Sequence, residues 1–152
     1  MSLLSKIPHS KKIIFGLDRC LWPFTVEYSR VSSVMTTHTQ EFARNRSRCL
    51  LNMKKDGSKL MIASRSSNPR VCTLLLEKLY PNVKWDARAI FNANNKIPHI
   101  SKLVGLNEPF CLFDHDPEML RVVKRNYGDQ CKVFLSTQVS DIMYQEMEYI
   151  TR

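Results

Sequence analysis

The chain has 152 residues, of which 43% are hydrophobic, and carries a formal net charge of +9. This length predicts a single domain over residues 1–152, and no stretch approaches the roughly 18 consecutive apolar residues of a membrane helix. The beginning of the chain lacks the apolar core of a signal peptide, and the five cysteines form no Cys-x-x-Cys pair. We therefore expect no membrane association, and a location in the cytoplasm or the nucleus, where thiols stay reduced.

The basic residues occur in clusters near the N-terminus, over residues 44–59 and over residues 121–125. A soluble, well-hydrated surface is one explanation for this charge. A partner that is acidic, either RNA or a phosphorylated or acidic protein, is the other. No RNA-binding motif accompanies the charge, so a nucleic-acid partner rests on net charge alone, and a protein partner is the stronger expectation.

Segments typical of strands and helices alternate along the chain. Residues 13–17 predict a first buried strand, and residues 24–40, rich in β-branched residues, serine and threonine, predict an irregular hairpin or flap. Helices follow at residues 40–55, 69–79, 96–104, 117–126 and 138–149, and strands at 59–63, 83–91, 110–113 and 131–135. This alternation predicts an α/β fold with a central parallel sheet and helices on both faces. The flap is the one segment that could serve as a cap.

Polar residues follow the ends of four predicted strands. They are Gly16 with Asp18, the serine-rich segment 64–66, the Asn-Lys pair at 95–96, and the Asp-His pair at 114–115. In an open parallel sheet the carboxyl ends of the strands border one crevice, which is where ligands bind. The sequence therefore predicts that these four segments form one site.

The segment Phe15-Gly16-Leu17-Asp18 resembles the first motif of the haloacid dehalogenase superfamily, Asp-x-Asp-x-Thr/Val. The following Leu-Trp-Pro-Phe, residues 21–24, is similar to the eukaryotic magnesium-dependent phosphatases of that superfamily. Residues 63–67, 95–99 and 112–115 resemble its second, third and fourth motifs, in the right order. The resemblance covers about residues 11–135 and implies a three-layer, Rossmann-like fold with a minimal cap.

The resemblance implies a role for each position in the first motif. Gly16 stands where the superfamily has its nucleophilic aspartate, so the nucleophile is lost. Asp18 matches the general acid/base, although an aspartate in a turn also commonly accepts backbone N–H groups and holds the loop. Cys20 has no arginine at the spacing that activates the thiol of cysteine phosphatases, and rescue by another nucleophile is the less favoured reading.

The remaining motifs imply phosphate and metal contacts. Ser64 and Lys96 match the groups that hold phosphate, and their alternatives are a helix cap and a solvated lysine. Arg65 is either a substrate-facing residue or a surface charge. Asp114 matches a magnesium ligand, but His115 replaces the acidic residue beside it, and imidazole suits this hard cation poorly. We expect no cofactor, or weak magnesium binding at most.

These features predict a catalytically inactive pseudophosphatase that binds a protein or a phosphorylated or acidic ligand. The first alternative is a residual magnesium-dependent phosphatase that acts on a phosphoprotein or a small phosphoester. The second is an RNA-associated module.

Overall fold

The structure, a computed structural model, describes residues 12–26 and 31–136. Its centre is a sheet of five parallel strands in the order β3-β2-β1-β4-β5. The strands are β1 (Lys12–Phe15), β2 (Lys59–Ser64), β3 (Ala87–Ile90), β4 (Phe110–Asp114) and β5 (Cys131–Leu135). The first strand lies in the middle, in register with β2 and β4. The α/β fold predicted from the alternation is confirmed, and it is Rossmann-like in its parallel sheet.

Helices cover both faces of this sheet. They are α1 (Val31–Val34), α2 (Thr37–Lys55), α3 (Pro69–Leu79), α4 (Ile97–Leu103) and α5 (Pro117–Tyr127). One apolar core joins α2 and α3 to the sheet face that carries Phe15, Ile62 and Phe113. The second joins α4 and α5 to the opposite face, which carries Ile14 and Leu112. Alternate residues along β1 and β4 thus enter different cores, as the two-residue period of a strand requires.

The helices begin at side chains suited to that position. Thr36 accepts a hydrogen bond from the N–H of Thr39 at the start of α2, and Asn68 accepts one from Val71 at the start of α3. Asp116 does the same for Glu118 at the start of α5. A proline occupies the first turn of α3, α4 and α5, where its missing N–H costs nothing. These starts place the loops after β2, β3 and β4 at one end of the sheet.

Two predicted segments differ from the structure. The strand expected over residues 83–91 is confined to Ala87–Ile90, because residues 80–83 form a turn and the pairing with β2 starts only at Asp86, whose N–H donates to the carbonyl of Leu60. Of the predicted flap at 24–40, residues 31–34 are helical and α2 already begins at Thr37, while residues 27–30 lie outside the described residues. The helix predicted at 138–149 lies outside them as well.

All five cysteines lie in the described part of the chain, where they are buried and form no disulfide. Cys72 and Cys111 pack in the first core, as the prediction of small buried hydrophobic side chains requires. Among the helices that the structure describes, none is long and apolar enough to cross a membrane.

Candidate functional site

Every predicted site residue except Gly16 lines one cavity of about 370 Å³ at the carboxyl ends of β1, β2 and β4. These residues are Asp18, Ser64, Arg65, Lys96, Asp114 and His115. Gly16 lies directly beneath them: a Cβ placed on it would lie 2.8 Å from Nζ of Lys96 and 3.0 Å from Oδ2 of Asp114. The structure therefore brings all seven predicted positions together.

A buried ion pair between Lys96 and Asp114 forms the floor of this cavity. The Asp114 carboxylate Oδ2 accepts a hydrogen bond from the Lys96 ammonium, and both residues are buried. Its other oxygen, Oδ1, accepts the N–H of Asp116 at 3.0 Å and lies 3.4 Å from Nδ1 of His115. Both carboxylate oxygens of Asp114 are therefore already bonded within the protein.

The ionisation of Asp114 reflects this environment. Burial alone would raise the pKa of its carboxyl group, but the Lys96 ammonium, the N–H of Asp116 and the neighbouring His115 favour the charged form and hold the pKa below its usual value. Asp114 is thus an ionised carboxylate at neutral pH. Since Lys96 is buried and paired, the interpretation of this residue as a solvated lysine is wrong.

Asp18 holds the loop that follows β1. Its Oδ1 accepts the indole N–H of Trp22 at 2.9 Å and the backbone N–H of Val26 at 3.1 Å. Arg19, the next residue, has a φ of +56°, a conformation that this tight turn imposes. Asp18 therefore fixes its own loop, as the second interpretation of this residue predicted. This carboxylate also faces the cavity.

The loop after β2 arranges hydroxyl and amide groups along the cavity wall. The hydroxyl of Ser64 accepts the N–H of Ser66, and that of Ser66 accepts the N–H of Asn68, each at 3.1 Å. Asn68, not Ser64, provides the helix cap, so the interpretation of Ser64 as a cap is wrong. Arg65 is exposed, and its guanidinium donates to the carbonyl of Asn94 at 2.9 Å. Arg65 thereby links the loop after β2 to the loop after β3 at the rim.

The loop that carries Lys96 is fixed from behind by His99. This histidine is fully buried, stacks on the ring of Phe91 at 3.9 Å and donates through Nε2 to the carbonyl of Phe91 at 2.7 Å. Asn95 accepts the N–H of Ile97 at 2.9 Å and so bonds across the first residues of α4. These contacts hold Lys96 against Asp114 in a fixed place.

Sequence reasoning missed Asn92, Asp116 and Met119 of the cavity wall, and it placed Ser66 and Ser67 in the predicted segment without giving either a role. Asp116 matters most, because it adds a third carboxylate to those of Asp18 and Asp114 against the two cations Arg65 and Lys96. Its signal was readable in the sequence: an aspartate directly before a proline is typical of a helix N-terminus, and that helix starts at the carboxyl end of β4.

The donor set does not fit a magnesium ion. Magnesium needs near-octahedral oxygen coordination, whereas Oδ1 of Asp18 and both oxygens of Asp114 already accept hydrogen bonds from the protein. The position of Gly16 offers no oxygen from a side chain, and the Lys96 ammonium lies beside it. Within residues 12–26 and 31–136, no group of three or more histidine, cysteine or carboxylate side chains is placed to hold a metal ion.

Cys20 lies next to the site but is not an available nucleophile. The side chain is fully buried and directed at the carbonyl of Phe113 at 3.7 Å. Burial raises the pKa of its thiol to about 11, despite the opposing charge of Arg46. A thiol of this kind stays protonated at neutral pH and reacts poorly.

Comparison with known proteins adds no assignment. No model of a protein family matches the chain, and no curated protein matches it either.

Proposed function

We propose that this protein is a haloacid-dehalogenase-like pseudophosphatase, a catalytically inactive member of the phosphatase fold that acts as a binding module. The observation that carries this proposal is the arrangement around Gly16. The position of the expected nucleophile has no side chain, and the space above it is taken by the ion pair of Lys96 and Asp114. The order of the four motif-like segments and their convergence on one cavity support the relationship to that fold.

Three groups close to Gly16 are poor replacements for the nucleophile, namely Asp18, Asp114 and Cys20. A carboxylate that attacks phosphorus must be free to form a covalent bond, and no later step proceeds without that bond. The Asp18 carboxylate accepts hydrogen bonds from Trp22 and Val26. The Asp114 carboxylate accepts one from Lys96. Cys20 is a buried, protonated thiol. A residual magnesium-dependent phosphatase is therefore the weaker candidate.

The ligand that we infer is a phosphorylated or acidic group presented by a partner protein. The cavity wall has positive charge from Lys96 and Arg65 and a hydroxyl group from Ser64. An anion would compete with Asp114 for the Lys96 ammonium, and would also face Asp18 and Asp116. Inorganic phosphate should therefore bind weakly, and a phosphorylated protein should depend on further contacts outside the cavity.

Hydrolysis of a generic aryl phosphate tests the proposal. Purified protein should release no product above the blank, with or without magnesium. The substitution Gly16→Asp should not restore hydrolysis by itself, because His115 still provides no carboxylate, and the double change Gly16→Asp with His115→Asp should do better than either single change. Hydrolysis by the native chain that rises with magnesium and disappears in Asp18→Asn would identify an enzyme instead.

A further inference from the structure

A second groove, outside the cavity, lies between α2 and the turn that follows α3. Its volume is about 510 Å³, and its lining includes Gln40, Arg44 and Ser47 from α2, with Lys78, Pro81 and Asn82 from the end of α3 and the turn. The charged side chains along its wall are Arg44 and Lys78, both cations; its described lining holds no carboxylate. The charged side chains that line the groove are therefore all positive.

The positive charge continues along the exposed side of α2, which also carries one carboxylate, Glu41, seven residues before Arg48. Arg44, Arg48 and Lys55 are spaced by four and seven residues, which places them on one side of a helix, and all three are exposed. The other two basic residues of α2 serve the fold: Arg46 is fully buried, and Lys54 pairs with Asp86. Among the described residues, no carboxylate forms an ion pair with Arg44, Arg48 or Lys78.

The composition of the groove distinguishes between acidic partners. Its apolar lining comes from Met35, Leu79 and Pro81, and its polar lining from amide and hydroxyl groups. The described lining has no aromatic ring, whereas sites for single-stranded RNA stack bases on aromatic side chains. Cations beside a small apolar surface suit a peptide that carries carboxylates next to an aliphatic side chain.

We propose that this groove binds an acidic segment of a partner protein. Carboxylates of the segment pair with Arg44 and Lys78, and an aliphatic side chain of the segment packs on Met35 and Pro81. Arg48 extends the positive surface for a longer segment. The proposal goes beyond the function inferred for the cavity and does not depend on it, since the groove and the cavity share no lining residue.

The test is fluorescence anisotropy of a short labelled peptide of glutamate and leucine, titrated with the full chain. The double change Arg44→Gln with Lys78→Gln should weaken binding roughly tenfold, equivalent to about 1.4 kcal/mol. Added salt should weaken the binding of the native chain, because exposed ion pairs are screened. A matched control, Arg125→Gln with Lys132→Gln, removes the same charge from exposed positions on α5 and β5 and should bind as the native chain does.

Two results would overturn the proposal. If both double variants bound the peptide equally weakly, binding would depend on the net charge of the protein and not on the groove. Polyuridylate that displaces the peptide and itself loses affinity in the Arg44 and Lys78 variant would identify a nucleic acid as the occupant. A control peptide in which serine replaces glutamate carries no side-chain charge and should not bind.

Discussion

Gly16 is the residue on which the interpretation of the site depends. Its missing side chain has two effects: the nucleophile is absent, and the Lys96 ammonium occupies the neighbouring space. The backbone N–H of Gly16 still donates to the carbonyl of Phe113 at 2.9 Å, so β1 and β4 stay joined up to this point. The change at position 16 therefore alters the floor of the cavity without disturbing the strand that leads to it.

This packing predicts the cost of a methyl group at position 16. Gly16→Ala places a Cβ 2.8 Å from Nζ of Lys96 and 3.0 Å from Asp114, which forces a buried ion pair to move. We expect the free energy of unfolding to fall by about 1–3 kcal/mol, as for other overpacked interiors. Urea denaturation measures this change.

Gly105→Ala is the matched control. A Cβ at that position would meet Oε1 of Glu108 at 3.8 Å, an ordinary contact. The free energy of unfolding should stay the same or rise by up to about 1 kcal/mol, because alanine restricts the unfolded chain. An equal loss in both variants would mean that the space above Gly16 is not filled as described.

At the scale of the elements, the Lys96–Asp114 pair joins the loop after β3 to the end of β4. The pKa of Asp114 lies below its unfolded value, so the pair contributes stability that is present above the unfolded pKa and is lost as the pH falls through the folded pKa. The pair is buried, and removing one partner leaves an uncompensated charge, which typically costs about 3–5 kcal/mol.

Lys96→Met should therefore destabilise the protein by that amount near neutral pH. With the ammonium gone, burial dominates and raises the pKa of Asp114 above its unfolded value, so the variant should regain stability as the pH falls toward about 4.5. Denaturation at the two pH values measures this. Adding Asp114→Asn removes the buried charge and should recover much of the loss; a variant with the same pH dependence as the native chain would contradict the assignment.

The elements also show what the sequence could predict and what it could not. The five strands, and the polar residues at their ends, could be predicted from local patterns. A buried strand and a helix that begins with proline can each be recognised from a short stretch of sequence. The burial of Lys96 could not be predicted from local patterns. It depends on the space above Gly16, which lies 80 positions earlier in the chain. The helical residues 31–34 and 37–39 were missed because β-branched and hydroxyl residues favour strands. In the structure Thr36 caps α2, and residues of the 31–35 segment pack against the first core.

The same limit applies to the charge of the site. Asp18, Arg65, Lys96 and Asp114 were predicted at the cavity, two carboxylates against two cations, whereas the structure adds the carboxylate of Asp116 to its wall. Spacing along the chain identifies which strand ends carry polar groups, but only the turn geometry after β4 decides that Asp116 lines the cavity as well as capping α5. The cavity is consequently less favourable to an anion than the sequence implied.

At the scale of the whole molecule, a ligand of the cavity should stabilise the fold, because the loops after β1, β2, β3 and β4 come together only in the folded state. Thermal unfolding in increasing inorganic phosphate should show a rise in stability, reaching about 2.7 kcal/mol at a hundredfold excess over the dissociation constant. Magnesium should add little, since both oxygens of Asp114 and Oδ1 of Asp18 already accept hydrogen bonds.

Two variants decide whether this stabilisation arises in the cavity. Lys96→Ala should remove most of the phosphate effect, measured as the difference between its own unfolding temperatures with and without phosphate, so that its lower starting stability does not enter. Lys55→Ala removes an exposed cation of α2 that does not line the cavity and should leave the effect intact. If phosphate stabilises Lys96→Ala as much as the native chain, the anion binds elsewhere on the basic surface. If magnesium stabilises the native chain and Asp114→Ala abolishes this, Asp114 exchanges Lys96 for a metal ion, and a residual phosphatase becomes the better hypothesis.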